Sequence, residues 1–218
     1  LAEAAGISVP WSQLVRIGGE SVLLLERFDR EESQVMGRRI PYQSAMTTLQ
    51  SLDGETRDYA ESAESIALFA NDAAGQLAEL FRRVVFYLGI GNTDDHLRNW
   101  GFSDRTTRGR SRRCSTLTRI LIGRCGALPT WQADLAVYAR LSAGQADDIA
   151  TEVASALKCW QTFARKNGCT AQEMKLFAPV FEKFEKQMID RSKRKMRLFG
   201  CNQIVDEFNT PEVHVPIV

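Results

Sequence analysis

Cysteine is sparse in this sequence and poorly placed for metal or redox work. The five residues, Cys114, Cys125, Cys159, Cys169 and Cys201, are odd in number, widely spaced and contain no CxxC pair. This argues against a zinc cluster and for a reduced, cytoplasmic setting. No run of 18 or more apolar residues is present, so no membrane-spanning helix is expected. No signal-peptide pattern opens the chain. Charge of one sign is lacking too: the net charge is +1, which gives no global field toward nucleic acid or membrane. What is present is ordinary for a globular protein, with 44% hydrophobic and 25% charged residues. The 218 residues suffice for one or two domains with a filled core. The chain opens on Leu1 rather than Met with a helix-like pattern under way, the expectation for a piece of a longer protein.

Leu1–Gly6 reads as the end of a helix stopped by Gly6. Gln13–Ile17 and Ser21–Arg27 flank Gly18-Gly19-Glu20, a hairpin signal, because glycines accept the positive φ of tight hairpin turns. Residues 31–41 read as a polar loop. Asn71 or Asp72 is placed to cap a helix whose Leu77, Leu80, Phe81, Val84, Val85 and Leu88 fall on one face. That helix stops at Gly89-Ile90-Gly91. Ser142 caps another, with Ala146, Ile149, Val153, Leu157, Trp160 and Phe163 along one stripe to a stop near Gly168. Thr170 and Glu173 form a capping box for the next, whose apolar face is Met174, Phe177, Phe181, Phe184 and Met188. Two stretches resist assignment. Residues 104–124 carry seven arginines and no acid after Asp104, with no periodicity before the apolar run Leu117–Ile122. The tail beyond Arg191 is basic and then irregular.

The chemistry concentrates in Asp94-Asp95-His96-Leu97-Arg98-Asn99. Asp94 and Asn99 are five positions apart, the separation found between the Asp and Asn of the protein-kinase catalytic loop. A carboxylate must accept the attacking hydroxyl's proton while an amide oxygen binds magnesium on the phosphates; four intervening residues let both point into one cleft. Asp95 is only four from Asn99, so Asp94 is the better base. Arg98 is suited to neutralising a transferred phosphoryl group, and His96 to orienting the loop. A polar turn capping the preceding helix is the competing, purely structural reading. A hydrolytic metal site on Asp94, Asp95 and His96 is disfavoured, since adjacent carboxylates on an extended loop point apart.

Residues 90–102, IGNTDDHLRNWGF, resemble the catalytic-loop signature of HipA-like toxin kinases. Residues 24–30, LLERFDR, are similar to that family's hinge, and IPYQS (40–44) and the opening LAEAAGISVP also look like family segments. Ser142–Phe181 resembles its C-terminal helices. The resemblance implies an α+β, mainly α-helical fold: a protein-kinase-like C-terminal lobe over residues 1–195 with a small β-hairpin at the hinge, then an irregular tail, 196–218. It implies that Glu26, Phe28 and Asp29 border ATP, the hinge backbone meeting adenine and Asp29 lying near the ribose, with Asn99 on Mg2+. Without it, Glu26 and Asp29 read as ordinary strand-end charges. It further implies a serine/threonine kinase toxin, a helix-turn-helix antitoxin (HipB-like) and through it DNA as partners, and a translation component as protein substrate.

The sequence departs from the family in three ways. The glycine-rich loop and the ATP-anchoring Lys should lie upstream of Leu1. The family's second metal-binding Asp should stand in an apolar-Asp-apolar-Asn-Pro setting, but the matching residues 112–122, RRCSTLTRILI, contain no carboxylate. Its loss should cost several powers of ten in rate. Read one frame over, suitable codons there spell Ala-Leu-Leu-Asp-Leu-Asn-Pro, so compensating frameshifts bounding residues 104–131 are the expected cause. Two rival readings follow. One is a catalytically inactive fragment acting as an antitoxin-binding module. The other is a nucleic-acid binder using residues 191–197 and the arginine run, the latter without the aromatic interleaving such surfaces use.

Overall fold

The computed structural model describes residues 1–30, 39–52, 55, 58–92, 97–103, 116–119 and 131–200. Where the sequence predicts a helix end, Glu3–Ala5 forms a 3-10 turn, and Gly6 stops it at φ +75° with its N–H donated to the Glu3 carbonyl. The hairpin follows: β1 (Ser12–Ile17) pairs antiparallel with β2 (Glu20–Leu25), Ile17 facing Glu20. Gly18 and Gly19 make the turn at φ +60° and +90°, values that only glycine adopts without strain. β2 ends at Leu25, short of the predicted Arg27, although Glu26 N–H still reaches back to the Trp11 carbonyl of the β1 side. Trp11, Leu14, Ile17, Leu23, Leu24 and Leu25 stay 40–61% exposed, and neighbours in a strand point to opposite faces.

The second sheet has the order β3-β4-β5, all antiparallel. β3 (Tyr42–Ser44) runs directly into the short α1 (Ala45–Thr48), which Ser44 caps by accepting the Thr47 N–H at 3.2 Å. β4 (Trp100–Ser103) lies between β3 and β5 (Thr116–Arg119), with Tyr42 opposite Ser103 and Gly101 opposite Thr118. Within the arginine-rich stretch, Thr116–Arg119, which includes the first residue of the apolar run, Leu117, pairs as a strand. The rest of residues 104–130 lies outside the described residues.

Six further helices build the body: α2 (Tyr59–Phe69), α3 (Ala73–Gly89), α4 (Trp131–Tyr138), α5 (Ala143–Lys158), α6 (Trp160–Lys166) and α7 (Ala171–Gly200). Asp72, not Asn71, caps α3, accepting the Gly75 N–H at 3.0 Å. Leu77, Leu80, Phe81, Val84 and Val85 of α3 are at most 2% exposed and form the centre of the core. Each such burial stabilises the fold by about 1.5–3 kcal/mol. α5 packs on α3, with Val153 of the predicted stripe and the neighbouring Ala150 fully buried. Its N-terminus has a reciprocal capping box: Ser142 N–H donates to Gln145 Oε1 at 2.9 Å and Gln145 N–H to Ser142 Oγ at 3.3 Å.

Three expectations are corrected. The stripe from Ala146 to Phe163 is not one helix; it breaks at Cys159 (φ −85°, ψ 5°) into α5 and α6. Directly after the break Trp160 lies flat on Phe181 of α7, with centroids 4.4 Å apart and planes 4° from parallel, a tertiary contact that accompanies the bend. On α7 the Thr170–Glu173 capping box forms as predicted, with Thr170 N–H on Glu173 Oε2 at 2.7 Å. Its apolar stripe engages the core only from Phe181 onward, because Phe177 is 57% exposed and Phe184 is buried. Finally, the first residues of the tail expected to be irregular, 196–200, are helical in α7, and its residues 201–218 lie outside the described residues. Residues 193–199 are mostly strong helix formers and contain neither Gly nor Pro, so nothing local stops the helix earlier. Among the described residues no helix is long and apolar enough to cross a membrane.

Candidate functional site

β2 delivers the chain into Glu26–Arg30, an irregular segment held at both ends. Glu26 N–H donates to the Trp11 carbonyl at 2.9 Å, Ile40 N–H donates to the Asp29 carbonyl at 2.9 Å, and Arg30 bridges Arg39. The segment borders a cavity of about 680 Å3 whose lining includes Glu26, Phe28, Asp29 and Tyr42, with Phe86 and Tyr87 contributed by α3. The three residues expected at the hinge, neighbours in this one segment, all line it. Phe28 meets Tyr42 edge to face, centroids 5.0 Å apart. Burial pushes the Tyr42 phenol up from its ordinary pKa, so it stays a neutral hydroxyl.

Asp29 is already engaged. Arg27 donates to both of its carboxylate oxygens, at 2.8 and 2.7 Å, and Arg30 stands 3.8 Å away. The hydrogen bonds from Arg27 hold the carboxyl down at about 2.

Opposite the hinge, α3 clasps the N-terminal strap. Arg83 donates to the Ser8 carbonyl at 2.6 Å and pairs with Glu79 at 2.7 Å, while Glu79 accepts the Ser8 N–H at 3.3 Å. Arg82 donates to the Ala5 carbonyl at 2.9 Å and pairs with Glu152 at 2.7 Å. Arg83 is a buried charge, 6% exposed, which is tolerable only because it is paired and hydrogen-bonded.

The expected catalytic loop leaves α3 through a glycine stop of Schellman form. Gly91 sits at φ +63°, its N–H donated to the Leu88 carbonyl at 3.1 Å, and Asn92 N–H donates to the Tyr87 carbonyl at 2.8 Å. A Cβ on Gly91 would lie 2.7 Å from Val180 Cγ1 of α7, so the stop is shaped by packing as well as by φ. Asp94, Asp95 and His96 lie outside the described residues. The chain is described again from Leu97–Asn99, a 3-10 turn with Leu97 buried, Arg98 exposed and Asn99 half-buried, which packs on α1 and β3 and leads into β4. Arg98 and Asn99 are not in the lining of the hinge cavity. They connect to it through the β4–β3 pairing and the ring of Tyr42.

The cavity is of the size, and has the largely apolar lining with a few polar groups, that small-molecule sites share. Among the described residues no group of three or more His, Cys, Asp or Glu is arranged to hold a metal ion. Asn99 offers one oxygen, and magnesium prefers one or two carboxylates beside phosphate oxygens. Sequence reasoning missed Tyr42, Arg83, Phe86 and Tyr87 as cavity residues. Arg83 left a readable trace: a charge beside the apolar stripe of α3, four residues after Glu79.

These features define the class: a mainly helical α+β unit of the protein-kinase-like C-terminal lobe type, with a hairpin, hinge and cavity ahead of a helix-to-loop transition. Residues 1–117 match the family model described as HipA-like C-terminal domain, and the chain belongs to that family. The match ends inside β5, within the stretch where the family's second Asp is expected. Among solved structures the chain is similar to HipA of Shewanella oneidensis MR-1, determined as the toxin–antitoxin complex of HipA, HipB and operator DNA, with TM-score 0.62 and 16% identity. That likeness is one of fold. It covers 88% of this chain and 53% of the other, so this chain spans about half the length of the Shewanella protein. Comparison with curated proteins returns no match.

Proposed function

We propose that this chain is the hinge and catalytic-loop part of a HipA-family serine/threonine kinase. The observation that supports the reading is that the short Glu26–Asp29 segment, which the resemblance marks as the hinge, lines a cavity of about 680 Å3 together with Phe86 and Tyr87 of α3. In this reading the hinge backbone meets adenine, Phe28 and Tyr42 give the base an aromatic wall, and the Arg27-bound Asp29 marks the ribose end. Magnesium-bound ATP would supply the phosphoryl group. Asp94 accepts the proton of a substrate Ser or Thr hydroxyl, the Asn99 amide oxygen is the chain's magnesium ligand, Arg98 offsets phosphoryl charge, and His96 orients the loop. The proposed setting is the cytoplasm, with a HipB-like helix-turn-helix antitoxin, and DNA through it, as partner. A protein of the translation apparatus is the proposed substrate.

A second reading is favoured by one observation: residues 112–122 hold no carboxylate. The chain would then be a module that retains the nucleotide cavity or the antitoxin surface without useful phosphoryl transfer. Titration calorimetry with Mg-ATP tests the nucleotide site. Micromolar binding, weakened at least about tenfold by Phe28→Ala, is expected; absence of heat at millimolar ATP would sink it. Incubation with radiolabelled ATP and the full chain, beside Asp94→Asn, then separates transfer from binding alone.

A further inference from the structure

The hinge cavity and the expected catalytic turn are separate places in the fold, and Tyr42 is the side chain that touches both neighbourhoods. On one side its ring packs edge to face on Phe28, at 5.0 Å, and lines the cavity. On the other it lies across β4. Tyr42 faces Ser103 in register, and Gly101 is the diagonal neighbour on the same face. The Tyr42 hydroxyl would stand 2.7 Å from a Cβ at position 101. A Cβ there would also run into the Gln43 carbonyl and lie 2.7 Å from Ser44 Cα. Gly101 is therefore bare because the β3 backbone and the Tyr42 hydroxyl occupy the space, the end of an aromatic side chain covering a strand glycine. Ser103, opposite Tyr42, is fully buried, so this part of the sheet has no slack. Gly101 follows Asn99 by two residues, and the Leu97–Asn99 turn packs on β3 itself.

We propose that Tyr42 is a positioning residue: by lying on Gly101 and bracing Phe28, it fixes the Leu97–Asn99 turn relative to whatever occupies the hinge cavity. The proposal rests on the kinase reading for its functional consequence, but not for its structural one. A side chain that only walls the cavity would affect base binding and nothing else. A side chain that also sets β4 must affect what Asn99 does for the metal-bound phosphates.

The test measures affinity of the full chain for ADP with and without Mg2+, in the wild type, Asn99→Ala, Tyr42→Leu and the double variant. Expected is a magnesium-dependent tightening that Asn99→Ala abolishes. Tyr42→Leu should reduce that tightening at least about fivefold, and the double variant should lose no more than Asn99→Ala alone. If Tyr42→Leu weakens binding equally with and without magnesium, leaving the ratio intact, Tyr42 is only a wall and the proposal is overturned. Should Tyr42→Leu fail to fold, Tyr42→Phe removes only the hydroxyl over Gly101. It is expected to lower the ratio about threefold, and an unchanged ratio overturns the proposal. Amide hydrogen exchange without nucleotide keeps the two readings distinguishable. Residues 97–103 should exchange at least about tenfold faster in Tyr42→Leu while α5 is unchanged. If no variant or wild type binds ADP, the nucleotide reading fails, and exchange alone decides the structural link; equal exchange at residues 97–103 overturns it.

Discussion

Replacing Gly91 by alanine makes two separate demands on the turn that leads α3 into the expected catalytic loop. Alanine at φ +63° occupies the left-handed region, at a cost of about 1–2 kcal/mol. Its Cβ, 2.7 Å from Val180 Cγ1, must also displace α7 or force Val180 off its rotamer, at a further cost of about 1–3 kcal/mol. The expected loss is therefore about 3 kcal/mol, a large fraction of the stability of a domain this size. Urea denaturation followed by far-ultraviolet circular dichroism measures it. With a slope of about 2 kcal/mol per molar, the midpoint should fall by about 1.5 M with the slope unchanged. Val180→Ala in the same chain removes the steric part and leaves the conformational part, so the double-mutant cycle should show at least about 1 kcal/mol of favourable coupling. A Gly91→Ala protein within about 0.5 kcal/mol of wild type would refute both the left-handed stop and the α7 contact.

Other outcomes follow from the same geometry. The Asp29 carboxyl, held at about 2 by Arg27, should titrate near its ordinary value of about 3.9 in Arg27→Ala, followed by carboxyl-carbon magnetic resonance. Because the folded value is the depressed one, the pair is present above the ordinary carboxylate range and lost as pH falls toward 2; an unmoved midpoint in the variant counts against it. Arg83→Leu strands the Glu79 carboxylate and removes the bond to the Ser8 carbonyl, so a loss of about 3 kcal/mol in urea is expected. Thr170→Ala breaks the reciprocal cap on α7 and should cost about 1 kcal/mol in urea; a change below about 0.3 kcal/mol contradicts the cap.

What the sequence discloses and what it hides divide along physical lines. α3, α5 and α7 are legible because their buried faces are made of large apolar side chains at helical spacing and their starts carry Asp72, Ser142 and Thr170. α2 escapes notice for the opposite reason. Its buried positions are Ser62, Ala63, Ser65 and Ile66, three small residues and one large, so apolar periodicity has almost nothing to register. Asp58, which caps it by accepting the Glu61 N–H at 2.9 Å, was the available sign. α4 is eight residues long, and of its described side chains Leu135 and Ala136 are buried while Val137 and Tyr138 are exposed, too little for a pattern. The break at Cys159 carries no Gly or Pro to mark it and coincides with the stacking of Trp160 on Phe181, a partner distant in sequence. At the site, Glu26, Phe28 and Asp29 were named only through the resemblance, as one contiguous hinge segment, and that segment lines the cavity. Tyr42 and Tyr87 reach the cavity from distant elements, through pairing and packing that no spacing rule encodes. Asp94 and His96 lie outside the described residues.

The hairpin of β1 and β2 carries a practical consequence for anyone handling the chain. Apolar side chains on both of its sides meet water, and each strand has an outer row of amides and carbonyls facing away from its partner. Such a ribbon is adhesive to its own copies. Concentrated preparations should therefore thicken into β-rich assemblies sooner than the helical body would suggest.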